Sequence, residues 1–278
     1  MPKRRFGRVE VAVLGQGTWN MERDRAAAVA CLRAGFDLGA THIDTAEMYG
    51  DGRVEEIVGE AIAGRRDEVF LVSKVLPGNA SRRGTVDACE RSLRRLRTDR
   101  LDAYLLHWPG RHPLADTIAA FEELVAAGKI AAWGVSNFDE RLLGEALALA
   151  GPGRIACNQV LYHLGERAVE HAVLPWCTQN DVALVAYSPF GSRPLPGPGT
   201  AGGDALQRVA DRHGADPHAV ALAFMLRLPN VLAIPKTSRV EHLQANLRSL
   251  ALALDARDLD DIERAFPLGR RPRHLPTI

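Results

Sequence analysis

The sequence predicts an α/β fold in which a parallel sheet of eight strands is wrapped by helices, and three features carry the prediction. Short apolar, β-branched runs alternate with longer amphipathic runs from Val11 to Leu250, as strands followed by crossover helices should. The residues closing consecutive strands, Asp44, Lys74, His107, Ser136, Gln159, Tyr187 and Pro235, lie mostly 23 to 33 positions apart, which suits successive strand–helix units. The length, 278 residues, fits one α/β barrel of about 250 residues, although length alone also admits two ordinary domains.

Taken in order, Arg5–Val13 reads as a short hairpin under the sheet. The eight strands are expected at Leu14–Thr18, Thr41–Asp44, Val69–Lys74, Leu101–His107, Ala131–Ser136, Ala156–Gln159, Ala183–Tyr187 and Val231–Ile234. Helical patterns fall between them near Asp24–Leu38, Val54–Ala63, Gly84–Leu96, Leu114–Ala127, Glu140–Leu149, Ala168–Asn180, Pro217–Leu228 and Val240–Leu250. Asp139 is placed to cap one of these helices, and Gly128 stands where another should stop. The one long gap, Tyr187 to Pro235, holds a Pro/Gly segment from Arg193 through Gly202 and Gly203 that predicts an irregular surface loop, followed by an extra helix at Asp204–His213. A domain linker is the competing reading, disfavoured because the strand–helix rhythm resumes and the remaining piece is too small to fold by itself. Leu259–Phe266 reads as a last helix outside the sheet, and Arg270–Ile278 as a tail. The expectation is a single domain over residues 1–278.

Composition removes several function classes. Hydrophobic residues make up 46% and charged residues 25%, enough to bury a core and unlike a disordered chain. Thirty-five Lys and Arg nearly balance 34 Asp and Glu, so no overall field would hold nucleic acid, though a local cationic pocket for one phosphate is compatible with it. Cys31, Cys89, Cys157 and Cys177 are irregularly spaced and form no metal-binding pair. The basic start is followed by Gly7, Arg8 and Glu10, not by the apolar run of a signal peptide, and no stretch reaches the roughly 18 to 20 apolar residues of a membrane span. A reducing cytoplasm, no membrane, and a monomer are the expectations.

In a parallel barrel, side chains at strand C-terminal ends converge on one face. Asp44, Lys74 and His107 occupy such ends, each after an apolar run, where a charge is costly unless paired. Singly, an Asp can cap the next helix, a Lys can reach solvent, and a His can be structural. Jointly with Tyr49 they make a proton-transfer set: a phenol with an ordinary pKa near 10 and a lysine able to lower it, held by the aspartate.

The surrounding words are DTAEMYG at Asp44–Gly50, VSK at Val72–Lys74, LLHWP at Leu105–Pro109, WGVSNF at Trp133–Phe138, NQVLYHLGER at Asn158–Arg167, YSP at Tyr187–Pro189 and IPKT at Ile234–Thr237. In order and spacing, over nearly the whole chain, they resemble the aldo-keto reductase superfamily, and most nearly its shorter bacterial members acting on methylglyoxal and related aldehydes. The resemblance implies a (β/α)8 TIM barrel with an N-terminal β-hairpin plug and an extra C-terminal helix. It implies NADPH-dependent reduction of small aldehydes and ketones, with Tyr49 as general acid, Lys74, paired with Asp44, depressing the phenol pKa, and His107 orienting the carbonyl oxygen. NAD(H) would be the lesser cofactor.

For the cofactor, the resemblance implies contacts from Gly17, Thr18, Trp19 and Asp44 on one side. Ser136, Asn137 and Gln159 would hydrogen-bond the carboxamide, and Tyr187, with Ser188 and Pro189, would stack on the nicotinamide. Lys236, Thr237, Ser238 and Arg239 gather cations and hydroxyls at a helix start, which suits a 2′-phosphate. His242 stands where many relatives carry arginine, and Ala245, ahead of Asn246, replaces an acidic residue, so Arg239 is placed to compensate. Trp19, Tyr49, His107 and Trp108 would line the substrate pocket. With a short loop at Pro109–Pro113 and a brief tail after Phe266, that pocket is expected to be broad.

Three rival readings compete with this one. A Rossmann dehydrogenase would need a third glycine after Gly15 and Gly17, and a second domain. A metal-dependent barrel hydrolase would need ligand spacing that His42, His107, His163 and Asp44 lack. A nicotinamide-binding regulatory subunit with little turnover stays open beside the enzyme reading.

Overall fold

The computed structural model describes residues 1–278. Strands β1 (Lys3–Phe6) and β2 (Val9–Ala12) form an antiparallel hairpin. The parallel strands are β3 (Gln16–Gly17), β4 (His42–Asp44), β5 (Phe70–Val75), β6 (Leu101–Leu106), β7 (Ile130–Ser136), β8 (Ile155–Leu161), β9 (Ala183–Tyr187) and β10 (Val231–Ala233). The helices are α1 (Arg25–Asp37), α2 (Arg53–Ala61), α3 (Arg82–Leu96), α4 (Leu114–Ala126), α5 (Glu140–Ala150), α6 (Val173–Gln179), α7 (Ala201–His213), α8 (Pro217–Leu226), α9 (Val240–Arg248) and α10 (Ala256–Ala265).

The eight parallel strands pair strictly in chain order from β3 to β10. Parallel bridges join Leu14 to Ala233 and Gly17 to Lys236, so the curled sheet meets itself across its first and last strands. At that seam Gly17 is required: a Cβ there would stand 2.5 Å from the Ile234 carbonyl oxygen.

Apolar residues segregate by strand alternation. One buried cluster, including Val72, Leu105, Cys157, Val185 and Leu232, fills the inside of the sheet, and Phe6 and Val11 of the hairpin join it from below. The larger cluster lies between the sheet and its surrounding helices. His42 sits low in the interior, its ring edge-on to Phe6 and Phe70.

Several boundaries move from the expectation. The first strand contracts to two residues plus the Leu14 bridge. The helix expected over Ala168–Asn180 is divided by Ala172, whose φ of −147° leaves a 3-10 turn at Ala168–His171 and a short α6. Gly202 and Gly203, expected in irregular chain, lie in the first turn of α7. Thr200 caps that helix by accepting from the Gly203 amide at 3.0 Å. The glycines are there for space, since a Cβ at Gly202 would press on the Phe266 ring at 2.8 Å and one at Gly203 would lie 2.0 Å from the Gly197 carbonyl oxygen.

The tail is the larger correction. It is not a loose end: Leu275 packs on the main core, Arg271 pairs with Glu140, and Ile278 reaches the cavity described below. The material expected to be missing from the pocket is supplied there. The caps at Asp139, which accepts from the Leu142 amide at 2.8 Å, and the left-handed Gly128 (φ 69°) stand as expected. No helix is long and apolar enough to cross a membrane.

Candidate active site

Period-two alternation carries the interior layer of apolar side chains up to the polar ones. Lys74 follows Val72, His107 follows Leu105, Gln159 follows Cys157 and Tyr187 follows Val185, each two residues on and so on the same face. Asp44 stands above His42 in the same way. Asp44, His107, Gln159 and Tyr187 line a cavity of about 420 Å³ at the strand C-terminal ends, and Lys74 lies behind that wall.

Lys74 is wholly buried and uses all three ammonium protons. It donates to Asp44 Oδ1 at 2.6 Å, to the Thr45 carbonyl at 2.9 Å and to the Tyr49 hydroxyl at 3.1 Å. The other Asp44 oxygen accepts from Gln159 Nε2 at 2.7 Å. Burial works to discharge the ammonium, but Asp44 and Tyr49 together outweigh it and hold the Lys74 pKa above its ordinary value.

Tyr49 departs from the expected direction. Burial raises its pKa above the ordinary phenol value, and the neighbouring Lys74 charge opposes the rise without reversing it. The residue is 8% exposed, so desolvation of a phenolate outweighs one nearby cation that Asp44 already largely neutralises. His107 is pushed down to about 2 by burial and then by Lys74, which makes it a neutral imidazole, and its Nδ1 is buried without a partner. The Tyr49 ring lies edge-on to Trp19 at 5.0 Å and to His107 at 5.8 Å.

On the opposite wall, Tyr187 donates to Asn137 Oδ1 at 2.9 Å, and Asn137 Nδ2 donates to Ser136 Oγ and to the His107 carbonyl, each at 3.2 Å. Ser136 donates to the Gln159 carbonyl at 2.8 Å. Asn137 and Ser188 both adopt left-handed backbone, φ 61° and 47°, strain of the kind that turns a chain sharply at a strand end.

Of the residues singled out from sequence, Gly17, Thr18, Trp19, Asp44, Tyr49, His107, Trp108, Ser136, Asn137, Gln159, Tyr187, Ser188 and Lys236 line this one cavity. Lys74 lies directly behind Asp44 and Tyr49. Pro189, Thr237, Ser238, Arg239, His242 and Asn246 are not on its wall. Thr237 Oγ1 accepts from the Arg239 amide at 3.1 Å, Arg239 pairs with Glu241 at 3.7 Å, and Asn246 is buried on α9. Met48, Ile234 and Ile278 also line the cavity and were not singled out. Met48 and Ile234 adjoin Tyr49 and the last strand, so proximity in sequence was a usable signal for both; Ile278 offered none.

The aldo/keto reductase family model matches residues 13–266. The chain belongs to the aldo/keto reductase family. Methylglyoxal reductase YeaE of Escherichia coli is 46% identical over 98% of this chain and 97% of its own. Glyoxal reductase of Bacillus subtilis is 33% identical over 92% of this chain and 89% of its own. An aldo/keto reductase from Klebsiella pneumoniae, crystallised with NADP and acetate, superposes with a TM-score of 0.92 at 43% identity, covering 99% of both chains. A second crystal structure from that organism, with NADPH, has the same score and identity and covers both chains fully. The chain is thus an oxidoreductase of this family.

Proposed function

We propose that this protein, acting as one domain over its whole length, reduces small aldehydes and ketones, methylglyoxal-like or aromatic, to alcohols with NADPH, and that Tyr49 gives the proton. The observation that carries the reading is the 3.1 Å contact of the Tyr49 hydroxyl with a buried ammonium at the wall of a cavity. The family relatives named above, two of them named for glyoxal or methylglyoxal and two crystallised with NADP or NADPH, support the substrate class and the cofactor.

The residues present fit a nicotinamide. Gln159 gives its amide nitrogen to Asp44 while its side-chain carbonyl accepts nothing from the protein, and the half-buried Tyr187 ring faces the same cavity. Lys236 lines the far side and suits a phosphate, with Thr237, Ser238 and Arg239 next along the chain. When bound, the dihydronicotinamide supplies the hydride to the carbonyl carbon.

The chain's own residues do the rest. The neutral His107 imidazole donates a hydrogen bond to the carbonyl oxygen and adds no second charge beside Lys74. Tyr49, protonated at neutral pH like any phenol and held further above that range by burial, donates its proton as negative charge builds on that oxygen. Lys74 then faces a developing phenolate it already touches, and Asp44 holds the ammonium in place. Trp19, Trp108, Met48 and Ile278 keep the surroundings apolar, which strengthens these contacts.

Replacing Tyr49 by Phe tests this. The expectation is a fall in aldehyde-dependent NADPH oxidation of about 10²-fold or more, with NADPH binding followed by fluorescence nearly unchanged. A retained rate removes Tyr49 from the reaction. Tight NADPH binding by the unaltered protein, with no turnover across a panel of aldehydes, would favour the regulatory reading instead.

A further inference from the structure

The turn that carries Tyr49 bends sharply. Gly50, Asp51 and Gly52 follow one another in left-handed backbone, φ 56°, 55° and 88°, and the middle one is not glycine. Aspartate tolerates that region, and the turn is tied locally by the Asp51 amide donating to the Met48 carbonyl at 3.2 Å and by Arg53 Nε donating to the Gly50 carbonyl at 2.9 Å; what sets its position relative to the strand of Lys74 is a separate matter.

Behind it lies a buried polar chain that the proton-transfer set does not use. Ser73 precedes Lys74 on β5 and points to the other side of the strand, where its hydroxyl donates to Glu55 Oε1 at 2.6 Å. Glu55, on α2, is fully buried, and its second oxygen accepts from Arg95 Nε of α3 at 2.6 Å. Arg95 also donates to Ser92 Oγ at 3.3 Å. The Arg95 side chain passes against Gly52 so closely that a Cβ there would lie 2.6 Å from its Cδ and 2.7 Å from its Nε.

We infer that Ser73, Glu55 and Arg95 form a brace that sets the Tyr49 hydroxyl against Lys74, making Glu55 and Arg95 positioning residues for proton transfer. One end of the brace is the backbone of the strand bearing Lys74. The other end is the Arg95 side chain packed against Gly52, three residues after Tyr49 in the same turn. It therefore fixes from behind the distance the reaction depends on in front. A fully buried carboxylate paired with arginine adds little to stability over an apolar packing of the same volume, so geometry is the better reason for its presence. The inference rests on the reading of Tyr49 as proton donor.

The experiment uses the full chain with NADPH and methylglyoxal, and compares Glu55→Gln, Arg95→Met and Ser73→Ala with Tyr49→Phe. Asp102→Asn serves as the control, because Asp102 makes a part-buried ion pair with Arg66 at 2.8 Å near the opposite end of the strands. The readouts are kcat, KM, NADPH affinity, melting temperature and the solvent deuterium isotope effect on kcat. A misplacement of about 1 Å lowers a rate by up to roughly 10²-fold, so Glu55→Gln and Arg95→Met should lose about 10- to 100-fold in kcat. KM and NADPH affinity should stay within about twofold and the isotope effect should rise, as proton transfer becomes limiting. Asp102→Asn should lower the melting temperature without changing the isotope effect. If Glu55→Gln does not fold, Arg95→Met and Ser73→Ala decide the matter. Unchanged kcat and isotope effect in the brace variants, with Tyr49→Phe inactive, overturns the brace alone. A rate retained by Tyr49→Phe overturns the reading beneath it.

Discussion

Replacing Lys74 by Met separates what the buried ammonium does for folding from what it does for chemistry. Methionine keeps most of the stem, so the change is chiefly the loss of a charge and three hydrogen bonds. The Asp44 side chain is 2% exposed. It would keep Gln159 on one oxygen and have nothing on the other, while the Thr45 carbonyl would lose its donor. Breaking a buried ion pair by removing one partner costs about 3 to 5 kcal/mol. Adding Asp44→Asn removes the stranded charge, and the double variant should recover most of that loss. Activity should behave differently. Lys74→Met and the double variant should both fall by about 10²- to 10⁴-fold, since neither has a cation beside the Tyr49 hydroxyl. Urea unfolding of the four proteins at neutral pH gives the coupling energy, and NADPH oxidation gives the rates. A Lys74→Met variant within about 1 kcal/mol of the parent would contradict the buried pair. A double variant that regains reductase activity would refute the role assigned to the ammonium.

Burial holds His42 at about 4 and His107 at about 2, so below pH 6.5 the unfolded chain takes up protons that the folded one refuses. Stability should fall from pH 6.5 towards 4 by roughly 1.4 kcal/mol per pH unit for each histidine. Urea melts at pH 7 and pH 5 measure this, and His42→Leu should remove about half of the slope; a flat profile refutes it. Arg239→Ala should weaken NADPH more than NADH in fluorescence titrations, and equal effects on both would move the phosphate contact elsewhere.

The strand ends were legible because a polar residue after a buried apolar run breaks a pattern, and Asp44, Lys74 and His107 each break it. Their convergence then follows from period-two alternation in a parallel sheet. What could not be read were effects that depend on what lies opposite. Gly202 and Gly203 look like loop residues in sequence, and only the Phe266 ring and the Gly197 carbonyl reveal them as the tight start of a helix. Ile278 lies 229 positions after Tyr49 in the chain (278 minus 49) yet shares its cavity, and no local pattern encodes such a return. The net direction of the Tyr49 shift is of the same kind: the sequence shows the cation that lowers it, but not the depth of burial that outweighs the cation.

The seam where Gly17 meets the last strand closes the loop of strands, and the polar groups around the cavity hang from most of those strands separately. A slip of one residue in any pairing would turn that strand's polar group outward and bring a neighbour of opposite character into the centre. Regained turnover after dilution from denaturant would accordingly be a stricter gauge of correct assembly than regained helicity, because it registers the alignment of the entire ring at once.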